Sequence, residues 1–225
     1  MTKRMTRLFL VGLVVAVSAV ACQDLDVTNP NNPDRGRALA ISGDVETLIS
    51  SAWYPYWNRT QVNGTVYHPL NAISGIQSTS VANNSGLELS EIPRPTYDNN
   101  PASGPSSLAR FPWYDFYTGL DSSNEGLRAI NSGIEIGEGG EDTERARAWA
   151  KFGQGLNLSM LALFYDQAIV ALEDADLEDA EQLEFRPYPE VVDAAVGALV
   201  AAADIARANS FEIPGEWFRL EGGLS

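Results

Sequence analysis

Apolar residues in the middle of the chain recur in steps of three and four. Between Glu144 and Ala171 the large ones are Trp149, Phe152, Leu156, Met160, Leu163 and Phe164, a spacing that gathers them on one face of a helix. Glu144, Arg145, Arg147, Lys151 and Gln154 lie away from that row, so the pattern predicts one side facing water. Ala148, Gly153 and Ala162 are small enough to let neighbouring helices come close. No other helical pattern in the chain runs as long without interruption, and the remaining elements are expected to pack against it.

The same periodicity predicts three more helices. One starts at Ser42 or Asp44, either of which can cap it. It carries Val45, Leu48, Ile49, Ala52 and Trp53 until Pro55 kinks or ends it. A second runs from Leu108 to Asn131 with Trp113, Phe116, Tyr117, Leu120, Asn124, Leu127 and Ile130 on one side, and Gly133 can close it as a left-handed cap. Gly137, Gly139 and Gly140 then turn the chain into the central helix, making a helical hairpin. The third, introduced by Pro187 and Pro189, runs from Glu190 to Asn209 with Val192, Ala195, Val196, Leu199, Ala202, Ala203 and Ala206 inward. The tail after it offers no closing helix.

Between Arg59 and Arg110 the turn signals Asn63-Gly64, Asn83-Asn84-Ser85-Gly86, Pro93-Arg94-Pro95, Asp98-Asn99-Asn100-Pro101 and Ser103-Gly104-Pro105 exclude a long helix. Val66, Leu70, Ile73, Ile76, Leu87 and Ile92 are scattered through this stretch and predict that it is packed. A packed loop of such length in a compact domain is commonly functional. The fold class is therefore mainly α, with helical hairpins and long irregular loop excursions.

Composition narrows the function. The 225 residues are 44% hydrophobic and 9% aromatic, ordinary for a globular domain with a sizeable core. A formal net charge of −15 repels phosphates, so nucleic acid is not an expected partner. Lys3, Arg4 and Arg7 precede the apolar run Leu8 to Val17 and the small residues Ser18 to Ala21, and residues 1–21 read as a secretory leader. The run is shorter than the roughly 20 residues of a membrane-spanning helix.

Cys22 is the one cysteine in the chain, so no disulfide within the chain can form. Ala19-Val20-Ala21-Cys22 resembles the bacterial lipobox, with Ala19 where leucine is usual, and implies acylation of Cys22. Acyl chains, at about 0.8 kcal/mol per buried CH₂, would anchor the protein without a spanning helix. A secreted protein with a free cysteine is the alternative. Cleavage removes three positive charges and takes the net charge from −15 to −18. Gln23 after the cysteine, in place of aspartate, points to the outer membrane. Residues 22–43, with Pro30 and Pro33 among Asn and Asp, read as a tether, and 44–225 as the helical domain.

Sugar recognition wants an aromatic platform flanked by amides or carboxylates. Trp57 with Asn58, Asn83 with Asn84, and Tyr97 with Asp98, Asn99 and Asn100 offer that combination. Core plugging by the rings of Tyr54, Tyr56 and Trp57 is the competing explanation, as turn formation is for Asn and Asp. The acidic run Glu173 to Glu184 places Asp179 where a calcium loop needs glycine and Phe185 where it needs the closing glutamate. It reads as a solvated linker, and no metal is expected. His68 has no second histidine to join it at a zinc site. No nucleophile with its base and no opposed carboxylate pair is recognisable, so neither an enzyme nor a cofactor is expected.

In order, the leader with Cys22, the segment DLDVTNPNNP, and the stretches VETLISSAWYPYW, WYDFYTGLDSSNEGLRAI, RARAWAKFGQGLNLSMLALFYDQA and PYPEVVDAAVGALVAAADIA resemble the SusD/RagB family of outer-membrane nutrient-binding lipoproteins. Ala146 to Asp166 is the strongest piece, similar to the family's alanine- and aromatic-rich helix, though Tyr165-Asp166-Gln167 lacks the glycine of its closing turn. The resemblance covers most of Cys22 to Ala208. It implies tetratricopeptide-like helix pairs whose irregular excursions carry the ligand site. It also implies docking over a SusC-like, TonB-dependent barrel transporter and capture of oligosaccharide or peptide at the cell surface. Family members are usually longer, so the resemblance implies an N-terminal part. The alternative is a lipid-anchored tetratricopeptide-like scaffold for protein–protein interaction, motivated by Tyr165, Ala168 and Leu172, which echo the second helix of such a unit.

Overall fold

The computed structural model describes residues 36, 39–62, 67–76, 86–93, 96, 98, 100, 102–103, 106–177, 179 and 183–218. All belong to one compact unit, Arg35–Ser225, and the fold is mainly α. Helix α1 is Ser42–Ser51 and α2 is Trp53–Trp57, which runs into a π-helical turn at Asn58–Val62. Two short helices follow, α3 at Tyr67–Ser74 and α4 at Gly86–Ser90. The long helices are α5 at Ser106–Asn131, α6 at Thr143–Phe164 and α7 at Tyr188–Ala208. A two-stranded antiparallel ribbon, β1 Gln167–Ile169 and β2 Phe185–Pro187, joins α6 to α7.

Local chemistry explains most boundaries. The break between α1 and α2 falls at Ala52, upstream of Pro55. A proline ring excludes the carbonyl four residues back, here that of Ser51, whereas Pro55 itself sits in the first turn of α2, where a missing N–H is tolerated. Neither Ser42 nor Asp44 caps α1; the Ser42 hydroxyl instead donates to the Glu135 carbonyl at 2.8 Å, tying α1 to the loop after α5. Gly133, at φ +106, ends α5 as expected. The N–H groups of Gly133 and Ile134 donate to Ile130 and Ala129 at 3.0 and 3.1 Å, the paired bonds of a Schellman cap.

Helix α6 lies between α5 and α7. Gly119 faces Asn157 and Gly153 faces Ser123, so α5 and α6 run antiparallel. Gly155 faces Ala195 and Leu199 of α7, and the ribbon brings the end of α6 to the start of α7, so this pair is antiparallel too. Helix α1 lies against α5, with Ile49 against Gly126, and Ala52 at the break after α1 lies against Gly153 of α6. Antiparallel neighbours of this kind are compatible with tetratricopeptide-like pairs. Two apolar clusters result. Val45, Ile49, Leu127, Trp149 and Trp217 belong to one, and Phe116, Leu120, Leu158, Leu161 and Val191 to the other.

Four expectations are corrected. Helix α6 ends at Phe164, not near Ala171, because pairing with β2 and a clamp from Tyr117 take up backbone groups of Gln167 to Ile169. Gln154, expected to face water, is fully buried because helices cover α6 on several sides, while Leu163 in the last turn is exposed. On α7 the inward face is Val191, Ala195, Ala198 and Ala202, leaving Val192 and Val196 exposed. The reason is the close approach at Gly155, which alanines permit and valines would block. In the loop region Leu70, Ile73, Ile76, Leu87 and Ile92 are exposed, and Ala72 and Leu89 are buried. The packing expected of this excursion therefore does not hold for most of its described apolar residues. No described helix is long and apolar enough to cross a membrane.

Candidate ligand-binding face

At Asn58 the chain leaves α2 in a wider π-helical turn, a local irregularity that recurs at functional sites. Thr60 is buried within it and its hydroxyl donates to the Tyr56 carbonyl at 2.8 Å. Arg59 reaches from the turn to α5, where it forms an ion pair with Asp115. The Arg59 guanidinium lies 5.5 Å from the centre of the Phe111 ring, and the Arg110 guanidinium lies 5.2 Å from the same ring. Residues three and four apart on a helix are neighbours, so Arg110, Phe111, Tyr114 and Asp115 share one face of α5. Phe111 is 43% exposed and Tyr114 62% exposed.

The opposite side of α5 is spent on the core. Trp113 meets Tyr117 at 4.8 Å and Tyr165 edge-on at 4.9 Å. The outer face of α5 thus carries two rings that the core does not use, the exposed Arg110 guanidinium, and the Asp115 carboxylate paired with the largely buried Arg59 of the π-helical turn. Such a face can stack a flat apolar surface and donate hydrogen bonds to hydroxyl or carboxylate oxygens.

Of the candidates read from sequence, Trp57 and Asn58 immediately precede Arg59 in the chain, at the end of α2 and the start of the π-helical turn. Trp57 is half-buried and stacks on Trp53 with ring centres 6.1 Å apart, and Trp53 in turn packs on Trp149, Phe152 and Phe218. The aromatic cluster therefore has a core member, Trp53, and an outer member, Trp57. Tyr56 hydrogen-bonds Tyr67 of α3; the Tyr67 phenol is raised above its ordinary range by burial and by this neighbour. Asp98 and Asn100 form a turn. Asp98 Oδ1 accepts from the Asn100 N–H at 3.0 Å, and Asn100 Oδ1 from the Ala102 N–H at 2.9 Å, so turn chemistry employs both. Cys22, Asn83, Asn84, Tyr97, Asn99 and the side chain of His68 lie outside the described residues.

Arg59, Arg110, Phe111, Tyr114 and Asp115 were missed from sequence. One signal was available: Phe111 and Tyr114 fall off the row formed by Trp113, Phe116, Tyr117 and Leu120. Aromatic residues on the polar side of a helix need a use other than the core.

A second polar constellation lies inside. Gln154 Nε2 donates to Asn124 Oδ1 at 2.7 Å and to Glu173 Oε2 at 2.6 Å, while Lys151 Nζ meets Glu173 Oε1 at 2.6 Å. Asn124 Nδ2 donates to the Ala171 carbonyl at 2.9 Å, and Arg128 donates to the carbonyls of Leu172 and Glu173 at 3.0 and 2.8 Å. The network holds the loop after β1 against α5 and α6. Burial alone would raise the Glu173 carboxyl; the bonds from Lys151 and Gln154, with the lysine charge, outweigh it and hold the group below its usual range. Glu173 is thus drawn inward from a run expected to be solvated, whereas Asp174 and Asp176 are exposed.

Among the described residues, no group of three or more His, Cys, Asp and Glu side chains is arranged to share a metal ion. Comparison with protein-family models, curated proteins and solved structures returns no match for this chain.

Proposed function

We propose that this chain is a lipid-anchored cell-surface protein that binds glycan or peptide nutrients and delivers them to a TonB-dependent barrel in the outer membrane. Its ligand face is formed by Trp57, Asn58, Arg59, Arg110, Phe111 and Tyr114. The observation that carries the reading is the outer face of α5, where exposed Phe111 and Tyr114 stand on a rigid helix beside two guanidinium groups. A lone exposed ring would mean little, but rings grouped with directional donors mark a recognition surface. The leader at residues 1–21 followed by Cys22, and an order of helical segments that resembles the SusD/RagB family, support the anchor and the barrel partner.

Two measurements test the reading. Gentle solubilisation of outer membranes is expected to recover the acylated chain together with a large β-barrel; recovery as a free periplasmic protein would count against delivery to a transporter. Titration calorimetry over a panel of oligosaccharides and peptides is expected to find a ligand whose affinity drops about tenfold in Tyr114→Ala, the usual cost of removing a contacting aromatic. The melting temperature should stay unchanged, because the side chain is exposed.

The scaffold reading draws on one observation, the exposed row Val192, Val196 and Val200 on α7. If peptides alone bound, and Val196→Asp removed that binding while Tyr114→Ala did not, a protein-interaction role would replace nutrient capture.

A further inference from the structure

The charge distribution around Phe111 narrows the ligand class. The whole chain carries −15, a field that repels anions. Arg59, Arg128, Arg145, Arg147, Lys151 and Arg207 each face a carboxylate of the protein. Arg110, like Arg186 of β2, is exposed and belongs to no ion pair among the described residues, but of the two only Arg110 is held at an exposed ring. Its guanidinium is held at the ring of Phe111, 5.2 Å from the centre, with the Arg59 guanidinium 5.5 Å from the same centre. Two guanidinium groups thus meet at one exposed ring of an acidic protein, and the exposed one of them has no carboxylate partner among the described residues.

We infer that the face of α5 formed by Arg110, Phe111 and Tyr114 binds acidic oligosaccharides, with the Arg110 guanidinium pairing with a uronate carboxylate while the sugar ring stacks on Tyr114. This rests on the nutrient-binding reading above and names its substrate class. Arg110 and Tyr114 are four residues apart on a helix, with Cβ atoms roughly 5–6 Å from each other, so one sugar ring and its own carboxylate can engage both. Guanidinium suits the task because its planar fork donates two parallel hydrogen bonds to a carboxylate. The ring of Phe111 beneath it restricts the side chain, so less freedom is lost on binding. A sugar is favoured because the exposed Tyr114 ring offers an apolar surface for stacking one turn from the Arg110 guanidinium, the pairing of ring face and carboxylate partner that a uronate presents.

The test uses the full-length chain in detergent and calorimetric titration with oligogalacturonides of defined length, alongside the same oligomers fully methyl-esterified, which differ by the loss of charge. The acid form is expected to bind at least about tenfold tighter than the ester, as a charge-assisted pair should. Arg110→Gln should erase that difference by weakening the acid far more than the ester, at an unchanged melting temperature, and added salt should weaken the acid alone. Equal binding of acid and ester would overturn the inference and leave the nutrient-binding reading standing. The same holds if a neutral glucan oligomer or an acidic peptide binds and oligogalacturonide does not. If no glycan or peptide binds, the nutrient-binding reading fails and the inference with it.

Discussion

Glu173 carries a negative charge to a place where burial opposes it, and the contacts from Lys151 and Gln154 reverse the balance, leaving its pKa below the ordinary 4.5. A carboxyl whose folded pKa is depressed stabilises the protein fully above its unfolded value, and that contribution is lost as pH falls through the lower folded value. Glu173→Gln should therefore flatten the decline of the urea midpoint in that acid window. At pH 7 it should cost about 1–3 kcal/mol, because Lys151 keeps a buried bond without its charge partner. Tyr117 has the opposite sign. Burial, only partly offset by the hydrogen bond with Ile169, pushes its phenol up to about 12. The unfolded chain releases this proton near 10, so the stability is complete below that pH and lost as pH rises towards the folded value. The hydroxyl donates to the Ile169 carbonyl at 3.0 Å and accepts from its N–H at 2.7 Å. Tyr117→Phe is expected to cost about 1–3 kcal/mol in urea unfolding, and to show a shallower stability loss above pH 10. Trp57 and Asn58 were legible in sequence as an aromatic and an amide at a helix end. The Arg59–Asp115 pair was not, because 56 residues separate its members and no local pattern links charges that far apart.

Periodicity located the long helices because burying an apolar row leaves a record of spacing 3.6. On α7 it placed Ala195 and Ala202 inward as found but wrongly added Val192 and Val196, since two apolar rows lie side by side and the choice depends on how close the partner comes. Gly155 sets that distance. A Cβ there would meet Leu199 at 2.5 Å and the Ala195 carbonyl at 2.9 Å, and a backbone carbonyl cannot swing away. At Gly126 the obstruction is instead the Ile49 side chain, 2.1 Å from a built Cβ. Gly126→Ala and Gly155→Ala should each cost about 1–3 kcal/mol or more through overpacking. Ile49→Ala should recover more of the first loss than Leu199→Ala recovers of the second. Double-mutant cycles in urea measure this, and equal recovery would mean that α7 shifts freely on α6. The end of α6 belongs to the same scale. Its apolar pattern continues past Phe164, yet the backbone at Tyr165 is extended, because a ladder with a strand 18 residues away satisfies the same polar groups.

Across the whole molecule the tail closes one of the two apolar clusters. No closing helix was expected there, yet a single 3-10 turn at Gly215–Phe218 does the work. Trp217 is 6% exposed, lies 5.6 Å from Trp149 ring to ring, and carries the Arg145 guanidinium 5.0 Å above it. Phe218 meets Trp149 edge-on at 4.9 Å. Trp217→Ala opens a cavity between α1 and α6 and should cost about 3–5 kcal/mol, read as a lower melting temperature. A change below about 1 kcal/mol would mean that the tail rests on the cluster without sealing it. By itself the sequence determined the mainly α class, the approximate positions of its long helices and the Gly133 cap, because each follows from spacing or from one residue's own backbone preference. Only the tertiary structure decided that Gln154 and Glu173 turn inward, that Val191 and Ala198 and not Val192 and Val196 join the buried face of α7, that residues after Phe164 form a strand, and that Arg59 and Arg110 meet at Phe111. Each of these depends on which distant groups come within reach, and a chain in one dimension does not state that.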